Sequence, residues 1–581
     1  MRRFASLRAM SYLRPKFMDL WSSYSRRDFG ADVIAGFTVG LVALPLAMAF
    51  GIASGVTPQA GLYTAIVGGL IVALFGGSRT QIAGPTGAFV VIVASVVSRH
   101  GVSGLLIVTM MAGVILIFLG LTGLGNAVKF IPRPVVIGFT NGIAVLIAST
   151  QIKDFLGITM PENPSEFFAR MEAIWRHLDT VKPQTIAIGV ATVAVVVLLP
   201  RISKRIPGAI VALAAGTLAV VLFKLPVETI GSRFGGIPAG LPHIDVPAFR
   251  PDLILALLPS AMTVAILGAI ESLLSAVVAD SATGDRHNSN AELVAQGVAN
   301  FVVPMVGGIP VTGAIARTAT NIRAGAKSPI AGVVHSLTLL GIVLAFAPLA
   351  RFAPLGTLAA VLLVVAYNIG EWREIPKILR LDKTDKAVWS ATFALTVFAD
   401  LTVAVGVGMA LAALLYIHRV SQTTTVSLVT PEDLRDGRAH ALQDKTIPPY
   451  VTILRIHGPF LFGTTDKLLQ ETSDMTQYAP IVILRLRNMT AIDATGLYAL
   501  EALSDRMKSS GRTMLLCGAR FQPARLLQRG DLIDRVGEKN ILPNVDAALQ
   551  RAAEIHESAA MSDGAAPQLS ASTPSRAIIS A

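Results

Sequence analysis

The feature that most constrains this chain is a succession of about fourteen apolar runs, most roughly 17–22 residues long, between residues 31 and 418. They lie near 31–53, 57–76, 82–98, 102–123, 134–151, 184–200, 207–223, 254–279, 291–305, 311–324, 327–348, 352–370, 386–399 and 402–418. A helix needs about 20 apolar residues to cross a hydrocarbon core of roughly 30 Å, so several runs are too short to cross alone. Only 15% of the 581 residues are charged, against about 25% in an ordinary soluble chain. The chain therefore reads as an α-helical polytopic domain whose solvent is the lipid bilayer. The basic N-terminus (Arg2, Arg3, Arg8, Arg14, Lys16, Arg26, Arg27) reaches no early short apolar core, so no cleavable signal peptide is expected.

The net charge of +12 sits mostly in short loops between the runs, where the positive-inside rule puts it. It is read as topology, not as a nucleic-acid footprint. An even number of spans places both termini on one side, and the basic N-terminus makes that side cytoplasmic. The loops "KFIPRP" (129–134), "PRISKR" (200–205), "RAGAKSP" (323–329) and "EWREIPKILRLDKTDK" (371–386) then all fall inside, and all are rich in Lys and Arg. The longest loops, 152–183 and 224–253, fall outside. One cysteine, Cys517, excludes an internal disulfide framework and fits a reduced compartment.

Composition changes after His418. "YVTILRIHGPFLFG" (450–463) and "APIVILRLRNMTAID" (479–493) are β-branched runs, and helical patterns such as "TGLYALEALSDRMKSSG" follow. Strands alternating with helices predict a small cytosolic α/β domain at 430–556. The expected organisation is a cytoplasmic segment 1–30, a transmembrane domain 31–420, the α/β domain, and a disordered Ala/Ser/Pro-rich tail 557–581.

Two runs are broken in matching words. "QIAGPTGAFVVIV" (81–93) and "GIPVTGAIARTATNI" (308–322) each carry a proline and a Thr-Gly-Ala triplet. A helix that begins at mid-membrane leaves its first N–H groups free and points partial positive charge at that spot. Two such starts facing each other make an anion site without a full buried cation. Pro85 and Pro310 suit a helix entry, Gly84, Gly87, Gly308 and Gly313 permit close backbone approach, and Thr86 and Thr312 offer hydroxyls across a pseudo-twofold axis. Either stretch alone also reads as small residues packing helices together. The pairing favours the site, because one stretch is the third span of the first seven and the other the third span of the second seven. An odd number of spans per repeat inverts the second copy.

Charges at membrane depth are few. Glu271 lies well inside the eighth run, and Ser275 follows at i+4. An intramembrane carboxylate defaults to a proton-relay or cation site, with a structural hydrogen-bonded role as the alternative. Arg317 follows the second helix start and either reinforces an anion site or serves structure. Asp280 and His287 are assigned to a cytoplasmic loop, and Asp400 to a helix boundary. With no nucleophile elbow, no metal-spaced His/Cys cluster and no Walker loop, neither an enzyme nor a cofactor or metal is expected.

These residues resemble the SulP anion permeases, relatives of the solute-carrier sulfate and chloride–bicarbonate exchangers. "DVIAGFTVGLVALPLAMAFGIASG" (32–55), "GPTGAF", "AIESLLSAVVAD", "NAELVAQGVAN" and "GGIPVTGAIARTATNIRAG" carry the likeness. "AIDATG" (491–496) likens the C-terminal domain to a STAS domain. The resemblance implies a 7+7 inverted repeat with core and gate domains, an elevator-type movement, a homodimer and a bacterial inner-membrane location. It places the substrate at Ala83, Gly84, Thr86, Gly87 and Ala88, at Thr312, Gly313, Ala314, Ile315 and Arg317, and beside Phe50. Glu271 and Ser275 match the coupling-ion positions of sodium-coupled bicarbonate relatives, but Ile315 stands where those relatives carry a threonine. The expectation is therefore proton–anion symport of sulfate, bicarbonate or a C4-dicarboxylate, with exchange and sodium coupling as alternatives. An anion channel, a nucleobase permease and a membrane-tethered regulator are weaker readings. In the STAS loop, Thr495 matches a phosphorylated position of sigma-regulator relatives. The alternative is that Asp493 or Thr495 simply caps the following helix. The domain itself is expected to be a regulatory or partner-binding module.

Overall fold

The computed structural model describes residues 13–20, 24–123, 132–160, 164, 166–203, 207–237, 240, 244–245, 251–399, 401–429 and 446–562. Asp400, part of the 129–134 and 200–205 loops and most of the C-terminal tail lie outside the described residues. The chain divides into two compact units, Met1–Ala412 and Ala413–Ala581.

In the first unit the apolar runs form helices α1 (Arg26–Ala53), α2 (Pro58–Phe75), α3 (Gly87–Thr122), α4 (Arg133–Leu156), α5 (Pro183–Ile202) and α6 (Gly208–Phe223). After a long connection come α7 (Ile254–Thr283), α8 (Ser289–Val302), α9 (Ile315–Arg323), α10 (Ile330–Ala350), α11 (Leu355–Ile369) and α12 (Lys383–Phe398). Helix α13 (Leu401–Thr423) runs across the boundary between the units. Eight of the described helical spans are long and apolar enough to cross a membrane. The runs 82–98 and 102–123 appear as one helix, α3, interrupted at Gly101, whose φ of 68° and ψ of −177° are not helical.

The helices pack in two groups. One joins α1–α3 to α7–α10; the other joins α4–α6 to α11 and α12. With lipid as apolar as the helices, association depends on close packing rather than on water exclusion. The α3–α8 crossing shows this: a Cβ on Gly113 would stand 2.6 Å from the Gly297 carbonyl oxygen, and one on Gly297 2.7 Å from that of Gly113. At the start of α1, the fully buried Asp32 carboxylate accepts from Lys327 N (2.6 Å), Ser328 N (3.1 Å) and Tyr24 Oη (2.7 Å). These bonds satisfy the buried charge and tie α1 to the loop entering α10.

Between the packed helices lie two very short strands, β1 (Ala83–Gly84) and β2 (Thr312–Gly313). They pair antiparallel, Ala83 with Gly313 and Gly84 with Thr312. Each leads directly into a half-helix, β1 into α3 and β2 into α9.

The second unit holds a five-stranded sheet in the order β3 (Thr425–Leu428), β4 (Val451–Phe460), β5 (Ile481–Ile492), β6 (Thr513–Cys517), β7 (Ile541–Leu542). Its β3–β4 pair is antiparallel and the remaining pairs are parallel. Leu484, Leu486 and Leu516 face helix α14 (Ala494–Ser509) on one side; Ile453, Ile483 and Leu515 face helix α15 (Val545–Ser562) on the other. Alternate residues of one strand thus feed two cores, as a sheet covered on both faces requires. Burial pushes the Cys517 thiol up to about 11 and so disfavours the reactive thiolate.

Candidate functional site

Irregular backbone at membrane depth must be satisfied by protein, and here Ile309, Val311, Thr312 and Gly313 of the β2 approach each have a partner. Thr64, in a π-helical turn of α2, accepts from Ile309 N (2.8 Å) and donates to Ile309 O (3.0 Å). Asn300 of α8 brackets Val311, donating to its carbonyl (2.8 Å) and accepting from its N–H (3.0 Å). Ser272 of α7 meets the Thr312 hydroxyl at 2.7 Å and accepts from Gly313 N at 3.1 Å. On the β1 side, Ile82 N donates to Thr318 Oγ1 (3.0 Å), the Ile82 carbonyl accepts from Ala314 N (2.8 Å), and Gln81 Nε2 donates to Ser272 O (3.2 Å). The two half-helix starts are thereby held as one piece.

A cavity of about 260 Å³ opens where α3 and α9 begin. Its wall includes Phe50, Thr86, Gly87, Ala88, Glu271, Ala314, Ile315 and Arg317, all singled out in the sequence. Thr86 is the N-cap of α3 and Ala314 that of α9. First-turn N–H groups have no intrahelical acceptor, so two helix N-termini present donors to this space.

Arg317 is 3% exposed. Its Nη2 donates to the Pro85 carbonyl, its Nη1 has no hydrogen-bond partner, and among the described residues it forms no ion pair. The Thr86 hydroxyl is also buried, and the Glu271 carboxyl lies beside it. Glu271 is half-buried and likewise forms no ion pair among the described residues. A buried guanidinium with an unused donor and two helix starts form a positive focus that an anion would complete. The unpaired carboxyl at the same cavity can carry a proton.

Other residues singled out in the sequence lie elsewhere. Ala83, Gly84, Thr312 and Gly313 form the β1–β2 pair behind the cavity. A Cβ on Gly84 would stand 2.5 Å from Arg317 Nη1, so this glycine seats the arginine instead of exposing backbone to a substrate. The Thr312 hydroxyl, expected to face Thr86, is occupied by Ser272 and by the Gly268 carbonyl (3.2 Å). Ser275, one turn beyond Glu271, is fully buried and bonded to Thr318 Oγ1 at 3.1 Å, because α9 packs against that side of α7. Asp280 sits in the last turn of α7, not in a loop, and meets His287 Nδ1 at 2.6 Å. In the STAS-like unit Asp493 caps α14 by accepting from Gly496 N (2.8 Å), which leaves Thr495 exposed in the first turn.

Sequence reasoning missed Thr140, Asn368 and Glu371, which also line the cavity. Glu371 opens a Lys/Arg-rich loop, and that composition hid it. A larger cavity of about 550 Å³, between α1, α6 and α10, is almost wholly apolar and gathers no convergent polar groups.

The sulfate permease family profile matches residues 29–392, and the STAS domain profile matches residues 443–548. The chain belongs to the sulfate permease family, whose members are membrane transporters and not enzymes. It is 40% identical over 533 residues to YvdB of Bacillus subtilis, which bears a provisional sulfate-transporter name, covering 91% of this chain and 99% of that one. It is 32% identical over 550 residues to the bicarbonate transporter BicA of Picosynechococcus, covering 92% and 96%. Murine solute carrier 26 family member A9, an anion transporter, shares the fold at 18% identity, with a TM-score of 0.82 and coverage of 94% and 95%.

Proposed function

We propose that this chain is a secondary active transporter of small oxyanions, coupled to protons and working by an elevator-type movement. Sulfate and bicarbonate are the leading substrates, since those are the anions in the names of its relatives, with C4-dicarboxylates as the further class. The observation that carries the reading is Arg317: a buried guanidinium with an unpartnered Nη1, at two helix N-termini, in a cavity of about 260 Å³. Glu271 is the proposed proton carrier. Ile315 lines the cavity and offers no side-chain oxygen, which weighs against sodium. Ala83, Gly84, Thr312, Gly313 and Ser275 take supporting positions in this reading. The transport unit is proposed to span 31–420, with the STAS domain at 430–556 as a cytosolic regulatory or partner-binding module, Thr495 accessible to modification, and the tail from 557. A homodimer in the bacterial inner membrane with both termini cytoplasmic completes it.

The test is uptake into proteoliposomes of a panel of labelled anions, with and without an imposed pH gradient. Glu271→Gln is expected to abolish gradient-driven accumulation while leaving anion binding intact; accumulation that survives it refutes the proton-carrier assignment. Anion exchange is the second reading, favoured by uptake that ignores the imposed pH gradient but requires an anion on the opposite side.

A further inference from the structure

The turn that follows α11 holds a glutamate in an unusual way. Glu371 has a φ of 41°, a left-handed conformation that side chains other than Gly, Asn and Asp rarely adopt. Such strain persists where surrounding contacts over-determine it, and it gathers at functional sites. Here the contacts are visible. The Gly370 carbonyl accepts from Asn141 Nδ2 of α4, and Asn141 Oδ1 accepts from Trp389 Nε1 of α12 (2.9 Å). Trp372 Nε1 donates to the Tyr367 carbonyl (2.8 Å). Glu374 takes both nearby cations, Arg133 at 3.1 Å and Lys377 at 2.6 Å. Glu371 is left exposed, without an ion pair among the described residues.

Its placement gives the strained turn a use. Glu371 lines the Arg317 cavity and also an adjoining one of about 50 Å³; Glu271, Thr140 and Ile315 border both. One carboxyl is half-buried on α7 and the other is exposed on the opposing helix group, and they border the same small volume. The charges facing Glu371 are Glu271 from α7, Arg317 from α9, Arg133 from α4 and Glu374 from its own turn.

We propose that Glu371 is the mouth carboxyl that exchanges protons between solvent and Glu271 through water in these two cavities. The step is a proton transfer alone: Glu371 carboxylic acid gives its proton to the Glu271 carboxylate and becomes a carboxylate, and the reverse transfer discharges Glu271. The proposal rests on the proton-coupled reading above.

The experiment uses the full chain in proteoliposomes with labelled sulfate and bicarbonate, an imposed proton gradient, and external pH stepped across the acid-to-neutral range. Glu371→Gln removes the titrating group, and Glu371→Gly removes it while relieving the left-handed strain, so misfolding cannot explain a shared defect. Both are expected to slow gradient-driven uptake about 100-fold and flatten its pH profile. Counterflow without a gradient should fall far less than driven uptake, and Glu371→Asp should recover part of the loss. If wild-type uptake follows the gradient and both variants match its rate and pH profile, the role of Glu371 is overturned alone. Equal loss of counterflow and driven uptake also overturns it, marking a structural residue. Wild-type uptake that ignores the gradient overturns the proton-coupled reading and this proposal together.

Discussion

At the first half-helix the Thr86 hydroxyl lies at the cavity with the Glu271 carboxyl beside it, whereas at the second the Thr312 hydroxyl is occupied by Ser272 and the Gly268 carbonyl. The letters around them match; their positions do not. Helix α3 starts three residues after Gly84 (87 − 84) and α9 three residues after Thr312 (315 − 312), and Gly84 pairs with Thr312. By that register Thr86 corresponds to Ala314, so the two Thr-Gly-Ala triplets stand two residues out of phase. The repeat preserves a backbone device, a strand running into a helix start, and lets the side chains diverge. The divergence gives the site its polarity. The first start supplies a hydroxyl beside Glu271; the second supplies the arginine, which reaches back to the Pro85 carbonyl of the first.

Three substitutions test this division of labour. The largest effect is expected from Gly84→Ala. Its φ of 156° disfavours a side chain, and its Cβ would fall 2.5 Å from Arg317 Nη1. The guanidinium is the part free to move, so anion affinity should fall about 10- to 100-fold, the equivalent of one charge-assisted hydrogen bond. Titration calorimetry showing wild-type affinity would break the link between Gly84 and the arginine. Next, Thr312→Val should cost about 1–3 kcal/mol of stability, because it leaves Ser272 and Gly268 short of a buried partner, with affinity changed less than about threefold. A thermal unfolding midpoint unchanged in detergent counts against a bracing role for this hydroxyl. The smallest effect is expected from Thr86→Val: stability unaltered and affinity weakened by about 1 kcal/mol, roughly fivefold. Should Thr86→Val destabilise while Thr312→Val weakens binding, the assignment of the two threonines is reversed.

The membrane domain was legible because apolar length is a direct physical requirement of the bilayer, and the STAS-like sheet because its β-branched runs alternate between two cores. Glu271 and Arg317 stood out because charge is rare inside apolar runs. Ser272, Thr318 and Asn300 did not: a hydroxyl or amide within an apolar helix looks the same whether it packs or braces a strand from another repeat. Ser275 was read from its helical spacing to Glu271 and from the family resemblance, neither of which tells which neighbour fills that face. The offset between the triplets depends on hydrogen bonds linking residues 83–84 to 312–313, and no local pattern encodes such a register. Glu371 was hidden by the opposite problem, a charge lost among charges.

The antiparallel pairing of Ala83–Gly84 with Thr312–Gly313 has a mechanical consequence. Because backbone bonds span the two repeats, neither helix start can shift without the other, and the two starts form one rigid cup. Under the proposed elevator movement, an anion in that cup would meet the same donors at each end of its travel, so those contacts would cancel from the balance between the two ends. On that reading, a preference for loading at one side and release at the other would have to come from the facing wall, where Val365, Ile369 and Glu371 line the cavity.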